Sequence, residues 1–128
     1  YRLAGFVWFQ GWNDMFTKGA PEAYEENLVK LVADLRKEFK SPELPVVIGE
    51  LGNGGPKASE KMLAIRKAQE AAGKRMTSAA FVSTTAFARP KELSPNVGHG
   101  HHWFGNAESY FLVGDALGRA MVKLVARE

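Results

Sequence analysis

The sequence contains no cysteine. Disulfides and thiolate-bound metal centres are therefore excluded. The absence fits any compartment and sits most comfortably outside a reducing cytosol. No run of 18 apolar residues occurs, which excludes a transmembrane helix, and no signal-peptide pattern is visible. Charge of one sign is scarcely in excess: 17 Lys and Arg against 14 Asp and Glu leave a net charge of +3. The bases are interleaved with acids along helical segments, so they read as solvated helix faces, not as a stripe for nucleic acid. Internal repeats and low-complexity segments are also missing. So is a nucleophile elbow. None of Ser41, Ser59, Ser78, Ser83, Ser94 and Ser109 stands in a glycine-flanked turn between a strand and a helix. The first residue is Tyr1, not Met, and an apolar strand begins almost at once. The chain is accordingly expected to be the later part of a longer domain.

What is present is ordinary globular material: 128 residues, 45% hydrophobic and 24% charged, enough for one core. Residues 3–10 (LAGFVWFQ) form a continuous apolar run of strand length, the pattern of a parallel strand covered on both faces. Pro21 suits a first helical turn. Tyr24, Leu28, Leu31, Val32, Leu35 and Phe39 then follow helical spacing to about Lys40. Residues 44–51 (LPVVIGEL) predict a second strand. Ser59, Met62, Ile65, Gln69 and Ala72 predict a second helix that Gly73 would end. Residues 76–84 predict a third strand, a long loop follows to Gly105, and a last helix starts near Asn106. Its expected core stripe is Tyr110, Val113, Leu117, Met121 and Leu124, with Gly114 and Gly118 allowing a close approach to the sheet. Alternation of this kind predicts an α/β fold with a parallel sheet and helices on both faces. Three strands are few for such a sheet, and the first would want neighbours on both sides.

Sites in open parallel sheets form at the carboxyl ends of strands, and three unusual clusters fall there. After the first strand comes Gln10-Gly11-Trp12-Asn13-Asp14. The Gly11 N–H and the Asn13 amide have the chemistry of an oxyanion hole; the same residues also make an ordinary turn. After the second strand comes Gly49-Glu50-Leu51-Gly52-Asn53-Gly54-Gly55. It lacks the lysine–serine pair of a phosphate loop and the spacing of a dinucleotide fingerprint, so it reads as a flexible loop beside a cleft, with Glu50 within reach of a ligand. The third cluster holds all three histidines of the chain, His99, His101 and His102, followed by Trp-Phe-Gly-Asn. One reading is a metal site completed by Glu50 or Asp14, though adjacent histidines converge poorly on one ion. The other is a general base, since an imidazole titrates near neutral pH.

The blocks AGFVWFQGWND (residues 4–14), LPVVIGELG (44–52) and HHWFGNAESYFLVGDALGRAMVKL (101–124) resemble the carboxy-terminal part of the SGNH-hydrolase superfamily, within it the sialate O-acetylesterase-like carbohydrate esterases. The resemblance runs over nearly the whole chain. It implies a flavodoxin-like α/β/α sandwich, incomplete in this chain, and a serine hydrolase that removes O-acetyl groups from sugars without metal or organic cofactor. It further implies oxyanion-hole roles for Gly11 and Asn13, with Gln10 shaping the turn, and a base at His102 with His99 in reserve. Trp12, Trp103 and Glu50 are the expected substrate contacts. Two departures stand out: the family's early Gly-Asp-Ser-like block is missing, and no Asp stands two or three residues before His102. The expected partners are an acetylated carbohydrate and an N-terminal portion of the same domain bearing the serine, with neither nucleic acid nor membrane, in a secreted or periplasmic setting. The competing expectation is a non-catalytic sugar-binding module built on Trp8, Trp12, Trp103 and Phe104.

Overall fold

The computed structural model describes residues 3–126. Three strands, β1 (Phe6–Trp8), β2 (Val46–Gly49) and β3 (Ala79–Val82), form a parallel sheet in the order β1-β2-β3. Helices α1 (Ala20–Glu38) and α2 (Glu60–Arg75) pack side by side on one face, and α3 (Ala107–Val125) covers β2 and β3 on the other. The alternating α/β architecture expected from the sequence is present. Each strand is shorter than its apolar run, because the run continues into the turns at either end.

β2 is the centre. Val46, Val47 and Ile48 are each 0% exposed, as a strand covered on both faces requires. Successive side chains point to opposite faces. Val46 and Ile48 therefore join the α1/α2 core with Leu28, Val32, Met62 and Ile65, while Val47 joins Trp103, Val113 and Leu117 under α3. Each such side chain contributes about 1.5–3 kcal/mol. β1, read from its composition as wanting neighbours on both sides, pairs only with β2 among the described residues. On the α3 side it is poorly covered, and Val7 and Phe9 are exposed.

The helices begin where local chemistry lets them. Gly19, at φ 79°, precedes α1, and Pro21 sits in its first turn. The Ser59 hydroxyl accepts from the Met62 N–H at 3.3 Å to cap α2, and the Asn106 side-chain oxygen accepts from the Ser109 N–H at 3.0 Å to cap α3. Arg36 ties the end of α1 to the start of the sheet by donating to the carbonyls of Leu44 (2.9 Å) and Thr77 (2.7 Å).

Three details correct the sequence reading. Gly73 does not end α2, which runs two residues further. It is buried where helix and sheet meet: a Cβ there would lie 3.2 Å from Phe81 Cβ, so its role is close packing. Gly114 and Gly118 have nothing within 4 Å of an added Cβ, because they lie on the open side of α3. Tyr110, expected in the core stripe, is 47% exposed.

Gly73→Val is expected to destabilise the fold by about 2 kcal/mol through overpacking. Gly114→Ala and Gly118→Ala should each stabilise it by up to about 1 kcal/mol through helix propensity. Urea unfolding midpoints at unchanged slope measure both.

Candidate functional site

The three sequence clusters meet at the carboxyl ends of the strands around a cleft of about 470 Å³. Gln10, Gly11, Trp12 and Asn13 line it from the turn after β1, Leu51 and Asn53 from the loop after β2, and His101, His102 and Trp103 from the loop before α3.

The first wall is set from beneath. The Gln10 carbonyl accepts from the Tyr24 hydroxyl at 2.7 Å and from Gln69 Nε2 at 2.8 Å. The Gln10 side chain is tied to Asp14. Gly11 is buried at φ 148°, a region that favours glycine, and a Cβ there would lie 2.9 Å from Ile65 Cγ2. Asn13 opens a short 3-10 turn, Asn13–Phe16, and is exposed, with no hydrogen-bond partner for its amide among the described residues. Trp12 is half-buried, its ring centroid 5.7 Å from that of His101.

Glu50 is turned inward. It is 8% exposed and does not line the cleft. Its Oε2 accepts from the Ser83 hydroxyl, the Thr84 N–H at 2.9 Å and the Thr85 N–H at 3.2 Å. Arg66 Nε lies 3.8 Å from its Oε1. Arg66 in turn donates to the carbonyls of Leu51 (2.7 Å), Asn53 (3.0 Å) and Gly55 (3.1 Å). This buried pair shapes the glycine-rich loop. The loop then delivers Asn53, 2% exposed, whose Nδ2 donates to the carbonyls of Gly100 (3.2 Å) and His101 (3.1 Å).

The histidine loop is held on the other side by Trp103, buried against Val113 and Leu117 with its ring 6.3 Å from that of Phe9. Trp103 and Phe104 adopt φ of 51° and 54°, conformations that cost energy in residues other than glycine and reverse the chain directly after His102. The His102 N–H donates to the His99 carbonyl at 3.0 Å, and the Tyr110 hydroxyl donates to the His102 carbonyl at 2.7 Å. The His101 and His102 rings lie 4.2 Å apart. Desolvation by the neighbouring groups and the charges of His102 and His99 lower the pKa of His101. His99 stacks on both rings but stands outside the cleft lining.

No group of three or more His, Asp or Glu is arranged to hold a metal among the described residues. No carboxylate reaches an imidazole among them, Asp14 and Glu50 being engaged elsewhere, and no serine lines the cleft. Sequence reasoning missed Asn53 and Tyr110 as wall residues. A lone Asn between glycines at a strand end was a signal for the first; nothing marked the second.

Burial alone would raise the Glu50 pKa, but hydrogen bonds from Ser83, Thr84 and Thr85 outweigh it and hold the carboxyl below its ordinary 4.5. A depressed carboxyl stabilises the fold above its unfolded pKa, and that contribution is lost as pH falls from about 4.5 through the folded value. Glu50→Gln should cost roughly 3 kcal/mol at neutral pH and remove this part of the acid dependence, as urea unfolding at pH 7 and along an acid series would measure.

A family model described as carbohydrate esterase, sialic acid-specific acetylesterase, matches residues 1–123. No curated protein and no solved structure matches the chain. The match takes in the three strands, α1, α2, most of α3 and all three walls of the cleft, and the chain belongs to the sialic acid-specific acetylesterase family of carbohydrate esterases.

Proposed function

We propose that this chain supplies the general base and the oxyanion donors of a serine O-acetylesterase acting on acetylated carbohydrates, and that an N-terminal portion of the same domain contributes the attacking serine. One observation carries the reading. Gly11 and Asn13 line the same cleft as His102 and His101. That is the pairing acyl transfer needs.

In the proposed reaction His102 takes the serine proton as the serine oxygen bonds to the acetyl carbon. The carbonyl electron pair moves onto oxygen, where the Gly11 N–H and the Asn13 amide receive the charge. The imidazolium returns its proton to the departing sugar oxygen, leaving an acetyl-serine. Water, deprotonated by the same imidazole, then releases acetate. His102 is positioned through its backbone, by Tyr110 and by the carbonyl of His99. Trp12 offers a half-buried aromatic face to a sugar ring. The absence of a carboxylate beside an imidazole among the described residues favours a second reading, a sugar-binding relative without turnover.

In the natural full-length protein, His102→Ala should lower kcat/KM for an acetylated sugar by roughly 10³-fold. Asn13→Ala should lower kcat by about 10²-fold, and His99→Ala should change it only a few-fold. A fluorophosphonate should label a serine outside these 128 residues, and the 128-residue chain alone should not hydrolyse the ester. Sugar binding that survives His102→Ala, with no hydrolysis by the natural protein, would establish the second reading.

A further inference from the structure

We infer that Tyr24 on α1 and Gln69 on α2 are positioning residues that aim the Gly11 N–H into the cleft. The inference rests on the esterase reading above, in which that N–H is an oxyanion donor.

The argument starts from the peptide bond. The Gln10–Gly11 peptide is trans, like every peptide among the described residues. The C=O of Gln10 and the N–H of Gly11 therefore lie in one plane and point in opposite directions. Whatever fixes that carbonyl fixes that N–H. The carbonyl is gripped twice, by the Tyr24 hydroxyl at 2.7 Å and by Gln69 Nε2 at 2.8 Å. Among the described residues the Gly11 N–H itself has no protein acceptor.

Both gripping groups are themselves immobilised. Tyr24 is 5% exposed and Gln69 is 0% exposed. Trp8 Nε1 donates to the Tyr24 oxygen at 3.0 Å, and Gln69 Nε2 lies 3.3 Å from it. With those donors on its oxygen, the single Tyr24 proton goes to Gln10. Burial raises the Tyr24 pKa, so the hydroxyl stays a donor. Gln69 Oε1 accepts from the Leu51 N–H at 2.8 Å, which fixes which end of its amide faces Gln10. One buried amide thus spans the turns after β1 and β2. The pair also sits directly under Gly11: a Cβ added there would lie 3.4 Å from both Tyr24 Oη and Gln69 Nε2. Donors on a peptide carbonyl polarise the whole peptide, so the same two bonds strengthen the N–H as a donor.

A residue that only stabilises the turn would lower folded fraction or substrate affinity. A residue that aims an oxyanion donor lowers kcat at constant KM, because the charge it serves exists only in the transition state. The test uses the full-length protein and an acetylated sugar. Tyr24→Phe, which removes only the hydroxyl, should lower kcat about 10-fold with KM changed less than about two-fold. Gln69→Met should lower kcat by about 10²-fold. The Gly11 amide cross-peak should shift in both variants, with those of Gly114 and Gly118 unmoved and thermal unfolding still cooperative. Should Gln69→Met fail to fold, Tyr24→Phe alone decides. An active wild type whose kcat and Gly11 cross-peak are both unchanged in Tyr24→Phe would overturn the inference alone, as would a rise in KM at constant kcat. A wild type inactive on every acetyl ester would overturn the esterase reading and this inference with it.

Discussion

Everything in this molecule is arranged around the burial of one four-residue strand. β2 has a hydrogen-bonded neighbour on each side and a helical layer on each face, and three of its side chains are fully removed from water. Such a strand can be built only from apolar residues of modest bulk, and Val-Val-Ile-Gly supplies them. Its alternation divides the interior in two, with α1 and α2 gathered on one side and α3 on the other. Its carboxyl end opens on the floor of the cleft. Burial energy is thereby converted into a fixed origin from which the site is measured.

Beyond that origin the loops are held by polar side chains sent upward from the helices. Arg66 and Gln69, three residues apart on one face of α2, take charge of the two turns that follow β2 and β1. Glu50 works on the same problem, since its carboxylate collects the N–H groups of Thr84 and Thr85 where β3 ends. Burying such groups is costly unless each is paired, and here they are paired almost entirely with backbone. The reward is backbone precision in loops that have no regular structure of their own.

The order of strands and helices was legible because periodicity and breakers are local signals. Tyr24, Leu28 and Val32 mark one face of α1, and Ser59 and Asn106 mark helix starts. The meeting of the three strand-end clusters was legible from topology. What resisted reading was direction. Glu50 at a strand end is equally compatible with a ligand or with the interior, and only the placement of Ser83, Thr84 and Arg66 turns it inward. Gly73, Gly114 and Gly118 are one residue type in two helices, yet only the first meets the sheet. Gln69 falls on the apolar stripe of α2, where its spacing marks only a helix. A polar amide in a core stripe must find partners, and that was the signal for its bridging role. His99, held in reserve behind His102, falls outside the cleft lining, and the loop's reversal at Trp103 and Phe104 fixes that placement.

The division of the interior also divides the site. The turn after β1 rides on the α1/α2 layer, whereas the imidazoles ride on the α3 layer through Trp103. Sliding of one layer past the other, a shear motion, would be felt at the cleft as a change in the gap between the turn after β1 and the imidazoles. Asn53 is a strut across that gap. Rooted by Arg66 in the first layer, it grips the carbonyls of Gly100 and His101 in the second. The width of the cleft is in this sense a mechanical property of the sandwich, bridged by the Asn53 amide.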